Sequence, residues 1–254
     1  MGSLFRRVRF RLAAALAGLL LAAAPAWAGD VQVAVAANFT EPAREIAAAF
    51  AAKTGAHAIL SFGSSGQFYA QISQGAPFEV FLSADPDRPK RIEQEGLGVP
   101  GSRFTYAIGQ LVLWSKTPGL VDASGAVLAR GVFNKLAIAD PTAAPYGVAA
   151  IQTMTKMGVY GRLQAKIVKG SSITQTYQFV ESGAAELGFV ALSQVIGDPS
   201  GSRWQVPASL HAPIDQQAVL LWKGDKDPAA RAFLQFLRGP EALAIIKRYG
   251  YEVR

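Results

Sequence analysis

The sequence predicts a two-lobed α/β protein, each lobe a mostly parallel sheet flanked by helices. Short apolar strands alternate with amphipathic helical stretches throughout the chain beyond residue 28, and repeated strand–helix–strand units build parallel sheets covered by helices on both faces. No low-complexity linker and no internal repeat breaks that alternation, so a second lobe must form by the chain crossing over. The roughly 226 residues beyond residue 28 suffice for one large domain or two small ones.

Residues 1–28 read as a secretory signal. Arg6, Arg7, Arg9 and Arg11 form a positive start, Leu12 to Ala24 an apolar run, and Ala26-Trp27-Ala28 a small-x-small cleavage site. The apolar run is too short to span ~30 Å of hydrocarbon. Strands are then expected at 31–36, 57–62 and 79–83, with helices at 42–53 and 67–74 between them. The apolar positions Ile46, Ala49 and Phe50 follow helical spacing. Residues 107–114 read as one strand with an internal Gly-Gln. Strands at 136–139, 167–168, 187–192 and 217–222 follow. Helices at 146–157, 174–182, 228–237 and 240–249 complete the chain. Crossings placed near 103–109 and 210–216 give a first lobe of residues 29–106 and 216–254 and a second of 107–215.

The net charge of +7 says little about function, because four of the arginines lie in the signal and about +3 remains. No run of Lys or Arg interleaved with aromatics follows, so a nucleic-acid partner is not expected. With no cysteine, the fold has no disulfide and no thiolate metal site. His57 and His211 lie far apart in sequence, and no metal cation or cofactor is expected. Neither a Gly-x-Ser-x-Gly elbow nor a His-Glu-x-x-His or Walker motif occurs. Asp85 and Asp140, each beside a proline, read as turn or cap residues. The chain is therefore expected not to be an enzyme; a secreted α/β hydrolase would need a convergent nucleophile and base.

The informative feature is a junction that recurs four times, in which a strand ends, a small polar turn follows and a helix begins. The turns are Ala37-Asn38-Phe39-Thr40, Gly63-Ser64-Ser65-Gly66, Asp140 to Gly147, and Gly170-Ser171-Ser172-Ile173. Taken singly, each is ordinary N-capping. Together they offer several helix starts whose outward N–H groups and dipoles favour an anion.

At these junctions the chain resembles the periplasmic molybdate-binding proteins of ABC importers. The likeness rests on Ala36-Ala37-Asn38-Phe39-Thr40, Phe62-Gly63-Ser64-Ser65, Gly75-Ala76-Pro77 with Val80 to Asp85, Asp140-Pro141 with Pro145-Tyr146-Gly147, Leu187 to Val190, and Lys247 to Tyr251. It implies a periplasmic-binding fold of the second topological type, with the ligand in a cleft that closes by a hinge. It implies ligand donors at Asn38 (side chain or backbone), Phe39 (backbone N–H), Ser65 (hydroxyl and N–H), Tyr146 and Ile173 (backbone N–H). Some members carry a binding Tyr where this chain has Ala191; here Tyr146 would supply that hydroxyl from the third junction. The implied ligand is molybdate, with tungstate beside it, and the implied partner is a membrane permease served by a periplasmic monomer. Sulfate or another tetrahedral oxyanion is the alternative ligand. Ser65→Ala is expected to weaken binding and leave the ligand-free protein's stability nearly unchanged.

Overall fold

The computed structural model describes residues 29–253. The segment read as an export signal, and Arg254, lie outside the described residues. The strands are β1 (Asp30–Ala36), β2 (His57–Gly63), β3 (Val80–Ser83), β4 (Phe104–Gly109), β5 (Leu111–Ser115), β6 (Leu136–Ala139), β7 (Ile167–Gly170), β8 (Leu187–Ala191), β9 (Ser202–Gln205) and β10 (Ile214–Leu220). The helices are α1 (Thr40–Thr54), α2 (Ser65–Ser73), α3 (Asp87–Gln94), α4 (Val127–Arg130), α5 (Pro145–Lys156), α6 (Tyr160–Leu163), α7 (Ile173–Glu181), α8 (Leu192–Val195), α9 (Pro228–Leu237) and α10 (Pro240–Arg248). No described helix is long and apolar enough to cross a membrane.

Two five-stranded sheets result, ordered β2-β1-β3-β10-β4 and β7-β6-β8-β5-β9. In each, three strands pair in parallel, and one strand runs against its neighbours: β10 in the first sheet and β5 in the second. Each of these is the first strand after the chain passes from one sheet to the other. The residues read as one strand over 107–114 are two. The chain leaves the first sheet at Gly109 and enters the second at Leu111. Hydropathy does not mark that break, because both halves are fully buried.

Alternate side chains on a strand point to opposite sheet faces, and both faces are covered here. Val31, Val33 and Val35 of β1 pack with Phe50, Phe233 and Ile246 of α1, α9 and α10, whereas Ala34 faces Phe68 and Ile72 of α2. In β5, Leu111 and Leu113 share a core with Tyr146 and Met154 of α5, while Val112 and Trp114 meet Val180 of α7. Strands buried on both faces read as continuous apolar runs, as parallel sheets in α/β proteins do. Each lobe therefore buries its own core, at about 1.5–3 kcal/mol for each large apolar side chain.

Candidate functional site

The four junctions singled out in the sequence are four strand–helix transitions of the structure, two in each lobe. β1 leads through a 3-10 turn (Ala37–Phe39) into α1, and β2 leads into α2. β6 leads into α5, and β7 into α7. Their turns meet between the sheets around one small cavity lined by Ala37, Asn38, Ser64, Ser65, Tyr146 and Ile173, with Ala36, Ala84, Ala144 and Pro145. Two larger clefts flank it and share its residues, Ala37 and Asn38 with one and Ala84 and Pro145 with the other. Four of the five expected donors thus come together. The fifth, Phe39, stands outside the cavity wall, its ring edge-on to Tyr106 and Tyr251 with centroids at 4.9 and 5.3 Å.

Backbone donors arise from helix geometry. Ser65 and Ile173 are the first residues of α2 and α7, and Tyr146 is the second of α5. First-turn N–H groups lack intrahelical acceptors, and Pro145 spends the α5 start on a residue with no N–H to satisfy. Gly147 lets this turn tuck against β6, since a Cβ there would sit 2.1 Å from the Ala139 carbonyl oxygen.

Beneath the cavity lies a buried polar network that the sequence reading missed. Asn38 Nδ2 donates to Gln216 Oε1 (2.8 Å) and to the Tyr251 hydroxyl (3.0 Å). Both amide hydrogens of Asn38 are therefore taken. The Asn38 carbonyl accepts from Tyr251 (2.6 Å) and, across the lobes, from Ser193 Oγ (2.8 Å). Gln216 Oε1 also accepts from the Tyr106 hydroxyl at 3.0 Å, and Gln216 Nε2 points at the Tyr146 oxygen at 3.5 Å. The Tyr146 hydroxyl thus belongs to the network, with Gln216 and Tyr251 as its partners. Gly109 makes room for this arrangement: a Cβ there would lie 2.2 Å from the Tyr146 oxygen. The signal for Gln216 was present in the sequence, as Asp215-Gln216-Gln217 is a polar triplet inside an apolar strand.

The α2 junction holds two serines in different states. Ser65 Oγ accepts from the Ala84 N–H at 2.9 Å, which leaves its own hydrogen to give. Ser64 uses its N–H on Gln67 Oε1 (3.2 Å) and its carbonyl on the Phe68 N–H (3.1 Å), but its buried Oγ has no hydrogen-bond partner.

No charged side chain lines the cavity. Arg88, which reaches across to the Thr142 carbonyl at 3.1 Å, is ion-paired with Asp85 at 2.5 Å. Burial pushes the Tyr146 and Tyr106 phenols well above their ordinary range and that of Tyr251 up to about 12, so all three stay protonated donors at neutral pH. The aspartates beside prolines serve their turns. Asp85 Oδ1 accepts from the Arg88 N–H (2.8 Å). Asp140 Oδ1 accepts from the Thr142 N–H and hydroxyl at 3.0 and 2.9 Å, and these bonds lower its pKa. His57 is exposed at the start of β2, and His211 Nδ1 sits 2.7 Å from the Ala212 carbonyl oxygen. Among the described residues, no group of three or more His, Cys, Asp or Glu could hold a metal ion.

The chain's likeness to known proteins accords with this geometry. Residues 31–252 match the family model described as bacterial extracellular solute-binding protein. The chain is 59% identical over 239 residues to the molybdate-binding protein ModA of Rhodobacter capsulatus, covering 94% of each chain. It is 55% identical over 244 residues to its namesake from Azotobacter vinelandii, covering 95% and 96%. The solved periplasmic molybdate-binding protein of Azotobacter vinelandii superposes with a TM-score of 0.86 at 45% identity, covering 88% of this chain and 99% of that one. With the two-lobed fold and the uncharged cavity between its sheets, these matches place the chain in the bacterial extracellular solute-binding protein family.

Proposed function

We propose that the chain is exported under the direction of residues 1–28 and works in the periplasm as a monomer. There it captures molybdate, and tungstate with it, and delivers the ion to the permease of an ABC importer. The observation that carries this reading is the meeting of Asn38, Ser65, Tyr146 and Ile173, drawn from both lobes, on one small cavity with no charged wall. The names of the relatives favour molybdate among oxyanions.

A dianion needs no countercharge if enough neutral donors converge. Each hydrogen bond to a charged group contributes roughly 1.5–3 kcal/mol net. About six give roughly 9–18 kcal/mol before the several kcal/mol lost on immobilisation and closure. Micromolar or tighter binding fits that range. Residues 29–106 with 216–254, and 107–215, act as the two bodies of the hinge. Only their closed arrangement presents all donors at once, so ligand shifts the population toward closure. Sulfate carries the same charge but is smaller, so a donor cage sized for molybdate leaves some of its bonds stretched.

A thermal-shift panel of oxyanions tests the reading. Molybdate and tungstate at about 100 times Kd should stabilise by about 2.7 kcal/mol, a shift of roughly 5–10 °C for a protein of this size. An equal shift by sulfate moves the assignment to sulfate, and no shift by any oxyanion sinks it.

A further inference from the structure

We propose that Ser64 is a further ligand-binding residue, whose hydroxyl donates to the oxyanion alongside Ser65. This rests on the oxyanion reading above and adds a donor to it.

Ser64 occupies the N-cap position of α2, with extended backbone (φ −77°, ψ 150°). A serine there ordinarily turns its oxygen to a first-turn N–H, and Gln67 at the third helical position ordinarily answers through the serine N–H. The two side chains are arranged as in that exchange, but only its second hydrogen bond forms. Gln67 Oε1 takes the Ser64 N–H at 3.2 Å, while Ser64 Oγ caps nothing. Its backbone carbonyl is spent on the Phe68 N–H. The residue is 3% exposed.

A buried hydroxyl with no partner is costly, and such groups in native proteins call for an explanation. The explanation lies in the cavity wall, of which Ser64 is part together with Ser65, Asn38, Tyr146 and Ile173. Ser65 has one lone pair engaged by the Ala84 N–H and one hydrogen to give; Ser64 has its hydrogen uncommitted. The Gly63-Ser64-Ser65-Gly66 turn therefore offers two adjacent hydroxyl hydrogens to one site. Gly66 allows that turn to close against the other lobe. Its N–H donates to the Ala143 carbonyl at 2.9 Å, and a Cβ there would lie 2.8 Å from Ala143 Cα. The serines thus face the ligand where the lobes meet.

Titrating the full chain with sodium molybdate in a calorimeter, beside Ser64→Ala, tests the assignment. Loss of one donor to a charged oxygen should weaken molybdate binding about tenfold to a hundredfold. The ligand-free melting temperature of Ser64→Ala should match or exceed that of the parent chain, because an orphan hydroxyl is removed. A cap serine behaves the other way: its loss lowers the ligand-free melting temperature and leaves molybdate affinity intact, and that result overturns the assignment. Ser64→Gly, tolerated at an N-cap, serves if the alanine variant does not fold, with the same two outcomes. A parent chain that binds no oxyanion overturns the site reading and this one with it. A parent chain that binds molybdate, with variants that bind it equally, overturns this one alone.

Discussion

Ser65 shows how one hydroxyl can serve fold and ligand together. From the sequence it reads as a binding residue whose loss spares the ligand-free protein. The structure alters that expectation, because Ser65 Oγ accepts the buried N–H of Ala84 at 2.9 Å. Ser65→Ala leaves that donor unpaired, which costs about 1–3 kcal/mol, or several degrees of melting temperature in a chain of this length. Molybdate affinity should fall by a further 1.5–3 kcal/mol or so. Paired thermal and calorimetric measurements separate the two losses; an unchanged ligand-free melting temperature contradicts the Ala84 contact. Asn38 carries a similar lesson. The resemblance left its side chain or its backbone as the donor, and both amide hydrogens serve Gln216 and Tyr251. Sequence names the residue, but only its neighbours say which of its atoms are still available.

At the scale of elements, the strand–helix junctions were legible because small polar turns between apolar runs have local causes. Caps, glycines and Pro145 act within a few residues. What was not legible depends on distant partners. The break at Gly109-Gln110 separates two runs that are equally apolar, and it exists because β4 pairs with β10 while β5 pairs with β8. Strand β9 is a short edge strand with only Trp204 buried, so it carries almost no pattern. Helix α3, DRPKRIEQ, buries only Pro89 and Ile92 and contains a proline near its start, so it reads as a charged turn. Yet α3 supplies Arg88, whose guanidinium links Asp85 of one lobe to the Thr142 carbonyl of the other. Arg88→Ala should release molybdate about three- to tenfold faster with little change in association rate, as affinity changes fall mainly on dissociation. Asp85 keeps the Arg88 backbone N–H as a partner in that variant. Stopped-flow displacement of bound molybdate reads both rates, and an unaltered release rate removes Arg88 from the closing contacts.

At the scale of the whole molecule, both lobes use the same device: parallel strands delivering helix starts to a common cleft, and one reversed strand where the chain returns. The network of Asn38, Tyr106, Tyr251, Gln216 and Ser193 ties the cavity floor to the C-terminal segment, whose Glu252 pairs with Ile108 of β4 (2.8 and 3.1 Å). Burial raises the three tyrosines, so the neutral phenol is the form the fold favours. That stability is fully present below pH about 10, the ordinary phenol range, and is lost as pH climbs through the raised value, about 12 for Tyr251. No donor assigned to the ligand changes protonation between about pH 6 and 9, and the cavity wall holds no carboxylate, lysine or histidine.

Under the proposed function, neutral donors from two lobes hold a tetrahedral dianion. Calorimetric titration of the protein with molybdate and with sulfate, repeated from about pH 6 to 9, tests it most directly. Molybdate should bind with a Kd of about micromolar or tighter that stays flat with pH, and sulfate should bind about a hundredfold or more weaker. Sulfate binding as tightly as molybdate, or a molybdate affinity that follows the titration of a histidine or carboxylate, would contradict it.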